Sequence, residues 1–244
     1  MREALTTRVR VLGIPGSPAA VRAAGGAFRV QVLDRGPGRA HVALVPTTAL
    51  LLAGDHVRVE VEVGTGCRLE VTEPTGTVAY DMHGDSAAWE LDVRVGDGSG
   101  VVWGTPELVV SEGARVRRRT TLRLEGDATC LLRETLVLGR AGETAGRLLT
   151  STEVTRDGRP VLVEELAAGP GAQVPGVLGR HRVVDQVLDL RTGAAPDDVP
   201  EPGDTTRLRL EAGGVLHRRL ADSAHQGCLD ALWAGLVRAH AGAA

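Results

Sequence analysis

Hydrophobic and polar residues alternate along most of this chain. His56 to Val63 reads HVRVEVEV, with valines at 57, 59, 61 and 63 and polar residues between them. That is the pattern of a strand with one face buried. Phe28 to Leu33, Cys67 to Thr72, Trp89 to Val95, Arg115 to Leu124, Cys130 to Leu138 and Val161 to Leu166 follow it. Turn residues separate these runs: Gly36-Pro37-Gly38, Gly64-Thr65-Gly66, Gly96-Asp97-Gly98, Glu125-Gly126-Asp127 and Asp157-Gly158. The connections are too short for helical crossovers. The pattern predicts a mainly β chain of stacked β-layers, β-helix-like or sandwich-like.

The alternation fades towards the C-terminus. Residues 192–206 are rich in Pro, Gly, Asp and Thr and read as a loop, followed by a short strand at Leu208 to Glu211. Leu229, Leu232, Trp233, Leu236 and Val237 then fall on one helical stripe. This predicts a helical region over 218–241, of one or two helices, capped at Asp222 or Ser223 and packed on the β-layers. The expected organisation is one domain over 1–244, with 1–190 mostly β. No repeat of fixed period is visible.

Composition narrows the function. The 244 residues carry a net charge of −3, and all 28 basic residues are Arg. Without Lys there is no Walker-type phosphate loop and no Schiff-base chemistry. The charge balance suggests neither a nucleic-acid nor a membrane-surface protein. No apolar run has the roughly 18 residues of a membrane span, and no apolar core of a signal peptide follows Met1. Cys67, Cys130 and Cys228 are odd in number and far apart, as expected of a protein from a reducing cytoplasm.

Three features carry candidate chemistry. Asp81, His83 and Asp85 share one face if the chain is extended there, and imidazole with carboxylates suits a weakly held, exchangeable divalent metal such as nickel or zinc. The other reading is a polar loop between strands, bent at Gly84. Arg115, Arg117 and Arg119 point one way from a strand, either as a solvated face or as a contact for an acidic partner. Glu134 precedes the glycine turn that carries Arg140 and Glu143, where Arg and Glu pair with Glu134 or with each other. No catalytic signature is present: no GxSxG, no HExxH and no glycine-rich nucleotide fingerprint.

The order of several short motifs resembles the urease accessory protein D family (UreD, also called UreH). The motifs are Leu52-Ala53-Gly54-Asp55, Thr72 to Tyr80, Trp103-Gly104-Thr105-Pro106-Glu107, Gly113-Ala114 before the Arg-rich strand, Glu134, Gly139-Arg140 and Gly142-Glu143. Their spacing agrees over roughly residues 25 to 190.

The resemblance implies a cytoplasmic, non-enzymatic maturation factor. Such a protein binds apo-urease and accessory proteins F and G, and helps deliver nickel to the urease active site, with an internal tunnel for its passage. It implies no tightly bound cofactor, only transient Ni2+. Asp81, His83 and Asp85 then become candidates for a nickel path. Glu134, Arg140, Glu143, Arg115, Arg117 and Arg119 become candidates for the tunnel or for partner contacts. Two other classes stand beside this reading: a β-fold hydrolase using Asp, Glu and His, and a generic β binding module.

Overall fold

The computed structural model describes residues 3–171, 174–192, 199, 201–225 and 228–242. Of the predicted 192–206 loop, residues 193–198 and 200 lie outside these residues. In chain order the first strands are β1 Leu5–Ile14, β2 Ser17–Ala24, β3 Phe28–Gly36, β4 Arg39–Pro46, β5 His56–Val63, β6 Arg68–Thr72, β7 Thr77–Ala79 and β8 Ala87–Val95. They are followed by β9 Gly100–Val110, β10 Arg115–Leu124, β11 Thr129–Leu138, β12 Arg147–Arg156 and β13 Arg159–Ala168. The last elements are β14 Val183–Asp189, β15 Thr206–Arg209, β16 Val215–Ala221 and the helix α1 Asp230–Gly242.

The strands form two sheets, β13-β12-β10-β8-β5-β1-β2 and β15-β16-β14-β11-β9-β6-β4-β3, with β7 paired to β9. From β4 to β12 the strands other than β7 alternate between the sheets, and from β6 on each of them pairs in parallel with its predecessor in the same sheet. The middle of the molecule is therefore a flattened coil, stacked as the alternation predicts.

This coil is a repeat that the sequence reading did not see. Its corner glycines, Gly38, Gly66, Gly98, Gly126 and Gly158, all have positive φ and recur about every thirty residues. Aspartates tie successive corners together. The Asp127 carboxylate accepts the Gly98 N–H at 2.8 Å, Asp97 accepts the Asp127 N–H at 3.1 Å, and Asp157 accepts the Gly126 N–H at 2.9 Å. The opposite connections differ in length and content, from 73–86 to 111–114, so the period is blurred in sequence.

Inward-facing residues meet between the sheets: Val57, Val59, Leu91, Val93 and Leu122 from one, Val42, Leu44, Leu69, Val101 and Leu136 from the other, all buried. With so few aromatics, this aliphatic packing carries most of the hydrophobic stabilisation. Phe28 and Trp89 supply one edge-to-face pair, with ring centroids 5.6 Å apart.

The outer face of the second sheet is covered by α1, through Leu229, Leu232 and Leu236 against Leu131 and Val187. Trp233 lies so close to β9 that a Cβ on Gly104 would come within 2.8 Å of its ring. Arg133 bridges β11 to the helix start, donating to Asp185 at 2.7 Å and to Asp230 at 2.6 Å. Asp185 also accepts the Leu229 N–H at 2.8 Å.

The helix starts at Asp230, not at Asp222 or Ser223, and the first part of the predicted 218–241 helical region is strand β16. Val215, Leu216 and His217 are all buried in succession, because β16 is covered on both faces and a doubly covered strand loses its alternation. Among the described residues no helix is long and apolar enough to cross a membrane.

Candidate functional site

The Arg-rich strand β10 has two faces. Arg115, Arg117 and Arg119 point to solvent, as the alternation predicts, which turns Val116, Arg118 and Thr120 inward. Arg118 is thus carried between the sheets and is only 4% exposed. A guanidinium cannot lose its charge there, so it needs a carboxylate. β11 supplies Glu134, which is 3% exposed.

Glu134 Oε1 accepts from Arg118 Nη2 at 2.5 Å, Arg118 Nε at 3.1 Å and Thr120 Oγ1 at 3.3 Å. Its other oxygen accepts from Gln186 Nε2 at 3.1 Å. The β9–β11 register shifts at this point: Gly104 pairs with Arg133 and Glu107 with Thr135. Thr105 and Pro106 therefore bulge opposite Glu134, and a bulge suits a proline, which has no N–H for the ladder. The Trp-Gly-Thr-Pro-Glu motif is a kinked strand rather than a turn.

A second carboxylate lies on the near side of the pair. Glu73, just after β6, accepts the Trp103 Nε1–H at 2.8 Å. The Arg118 guanidinium stacks 5.5 Å from the Trp89 ring centroid. One cation thus serves two buried carboxylates, and their protonation diverges. Burial pushes Glu73 up to about 7, only partly opposed by the Trp103 hydrogen bond and by Arg118. Burial also pushes on Glu134, but the Arg118 charge and hydrogen bonds outweigh it and hold Glu134 below its ordinary value.

On the far side, Gln186 Oε1 accepts from Arg218 Nη2 at 2.7 Å, and Arg218 forks onto Glu164 at 2.8 and 2.6 Å. Small cavities flank the Arg118–Glu134 pair. One, of about 10 Å³, is lined by Glu73, Trp89, Glu107 and Arg118. The other, also about 10 Å³, is lined by Glu134, Thr152, Glu164 and Gln186. Each is about the size of one water. The buried Trp89 Nε1–H has no hydrogen-bond partner among the described residues. From the exposed Glu107, a polar file thus runs through Glu73, Arg118, Glu134 and Gln186 to the partly exposed Glu164.

Of this file the sequence singles out only Glu134 as a candidate site residue, although Glu73 and Glu107 fall within the motif segments. The signal for Arg118 was the strand alternation, which turns the middle of the Arg run inward. Gln186 and Glu164 come from distant segments and carry no local signal.

The other candidates are placed differently. Asp81, His83 and Asp85 do not converge. The chain turns at His83 and Gly84, which have φ of 50° and 95°, so the extended alternation is lost. Asp81 accepts the His83 N–H at 2.8 Å, and Asp85 accepts the Ser86 N–H at 2.8 Å. The His83 side chain is 87% exposed. Among the described residues no group of three or more His, Cys, Asp or Glu is placed to hold a metal ion.

Arg140 and Glu143 pair with each other and not with Glu134. Glu143 accepts from Arg140 Nε at 2.8 Å and from its backbone N–H at 3.1 Å, and these bonds hold Glu143 down at about 2. Arg182 closes the same turn by donating to the carbonyls of Leu138, Arg140 and Glu143. Arg140 lies 5.9 Å from the ring centroid of the exposed Tyr80. Arg119 faces Glu153 at 3.5 Å, and Arg115 donates to the Gly84 carbonyl at 3.1 Å.

Comparison with known proteins adds the family. A family model described as UreD urease accessory protein matches residues 16–244. Urease accessory protein UreD 1 of Streptomyces griseus is 44% identical over 166 residues, which is 67% of this chain and 64% of that protein. UreD 3 of the same organism is 38% identical over 203 residues, 78% of this chain and 79% of the relative. UreD 2 of Saccharopolyspora erythraea is 33% identical over 211 residues, 82% of this chain and 75% of the relative. On this match and these relatives, the chain belongs to the UreD urease accessory protein family.

Proposed function

We propose that this chain is a urease maturation factor: a non-catalytic scaffold that binds apo-urease together with accessory proteins F and G. In this reading it acts in the cytoplasm and passes nickel, as cargo rather than cofactor, through the interior of the coil. The supporting observation is the polar file Glu107–Glu73–Arg118–Glu134–Gln186–Glu164, set between two mainly apolar sheet faces. Buried ionic groups are expensive. A fold with no use for them would place aliphatic residues there.

The chemistry of the file fits a hard or borderline cation: oxygen donors without thiolates. At neutral pH Glu73 holds its proton part of the time, so an arriving cation exchanges for that proton. Passage past Glu134 requires Arg118 to release that carboxylate, while its guanidinium already lies over the Trp89 ring. The nickel path expected at Asp81, His83 and Asp85 moves in this account to the buried carboxylates. The cavities beside them admit an ion or a water but no ester or glycoside.

The scaffold part of the proposal is tested by co-expression with accessory protein F and apo-urease from one organism, followed by size-exclusion chromatography with light scattering. A stable mixed complex is expected. A chain that elutes alone in the presence of both contradicts it.

A further inference from the structure

Among the described residues no element covers the outer face of the first sheet, which is laced with ion pairs over most of its area. Arg8 meets Glu60 at 2.7 Å, Arg58 meets Asp92 at 2.7 Å, Arg119 meets Glu153 at 3.5 Å and Arg123 meets Asp92 at 3.6 Å. At one end of this face the matching stops. Arg115 and Arg147 stand directly opposite each other across the parallel β10–β12 pair, with Arg117 two positions on. Like charges placed opposite one another destabilise a sheet. None of the three has a carboxylate partner among the described residues. The one acid in the lining, Asp55, accepts the Leu52 N–H at 2.9 Å.

The same three arginines line a cavity of about 700 Å³. Its floor is apolar and low. In the register, Arg117 is flanked by Ala88 on one side and by Leu149, then Ala167, on the other. Pro170 and the exposed Val177 stand above it. Ala167 belongs to β13, which is an edge strand paired only to β12 and carries Val163 at 74% exposure.

We propose that this cavity binds an extended acidic segment of a partner protein, with carboxylates on Arg115, Arg117 and Arg147 and an aliphatic side chain on the Ala88–Leu149–Ala167 floor. Unmatched guanidinium groups supply the charge complementarity, and the adjoining free edge of β13 suits an extended chain. A nucleic acid is disfavoured because no aromatic side chain lines the cavity for base stacking. The site lies on the opposite side of the sheet from the buried file, so it stands or falls independently of nickel passage.

The test is fluorescence anisotropy of the whole chain with a labelled peptide, acetyl-Leu-Glu-Val-Glu-Leu, against its Gln-for-Glu counterpart at low and moderate salt. Saturable binding of the acidic peptide is expected, weakened about tenfold or more by R117A/R147A and weakened further by salt. Both positions are exposed, so thermal melting should match that of the parent chain. Three results overturn the proposal: equal binding of both peptides, equal binding by R117A/R147A, or no saturable binding into the millimolar range. Displacement of the peptide by inorganic pyrophosphate at lower concentration than by unlabelled peptide also overturns it, in favour of a phosphate ligand.

Discussion

At the scale of single residues, the decisive feature is one buried cation shared by two buried carboxylates. Glu134 takes the ion pair, and Glu73 keeps a proton to about pH 7. In the unfolded chain Glu73 loses that proton near its ordinary value of 4.5. Between those values the folded chain binds more protons than the unfolded one. Stability from this group is therefore fully present below about pH 4.5 and is lost as pH rises through about 7. Glu73→Gln keeps the acceptor for Trp103 and removes the titration. It should stabilise the chain at pH 8 by up to about 3 kcal/mol and make little difference at pH 5, as read by urea denaturation at the two pH values. Equal stabilisation at both would show that Glu73 is not held neutral by burial. Alternation made the inward turn of Arg118 legible in the sequence. The partnership with Glu73, Gln186 and Glu164 was not, because it is assembled by stacking coils whose neighbours are far apart in the chain.

At the scale of elements, the strands were read well because each has one buried and one wet face: β5, β8 and β10 follow the period of two almost throughout. β16 was misread as helix because both its faces are covered. Alternation also says nothing of whether neighbours run parallel or antiparallel, so the coil stayed hidden although its corner glycines are plain in the sequence. The helix α1 was legible in its stripe but not in its start, which is fixed by Arg133, Asp185 and Asp230 from separate elements. Its seating depends on Gly104. Gly104→Val would drive a side chain into Trp233, and overpacking of this kind costs about 1–3 kcal/mol. The expected result is a lower melting temperature and a Trp233 fluorescence shift towards that of an exposed indole. An unchanged melt and spectrum would mean that the helix is not held against β9 there.

At the scale of the whole molecule, two aliphatic sheets enclose a polar file, one outer face is covered by a helix, and the other is left open as a charged lattice. The motif order in the sequence identified the family, yet only one of its nine candidate site residues, Glu134, lies in the file. On the proposed function, the Arg118–Glu134 pair serves passage rather than stability. Breaking it with Arg118→Met alone strands a buried charge and should cost about 3–5 kcal/mol, whereas replacing both partners by apolar residues of similar volume is often neutral or stabilising. The double variant Arg118→Met/Glu134→Leu therefore separates the two roles. The most direct measurement is the nickel content of urease matured with this variant in place of the parent chain, alongside its recovery in the complex with apo-urease and its melting temperature. The account predicts a folded, complex-forming variant whose urease is left largely without nickel. Urease loaded with nickel to the parent level by that same variant would contradict it.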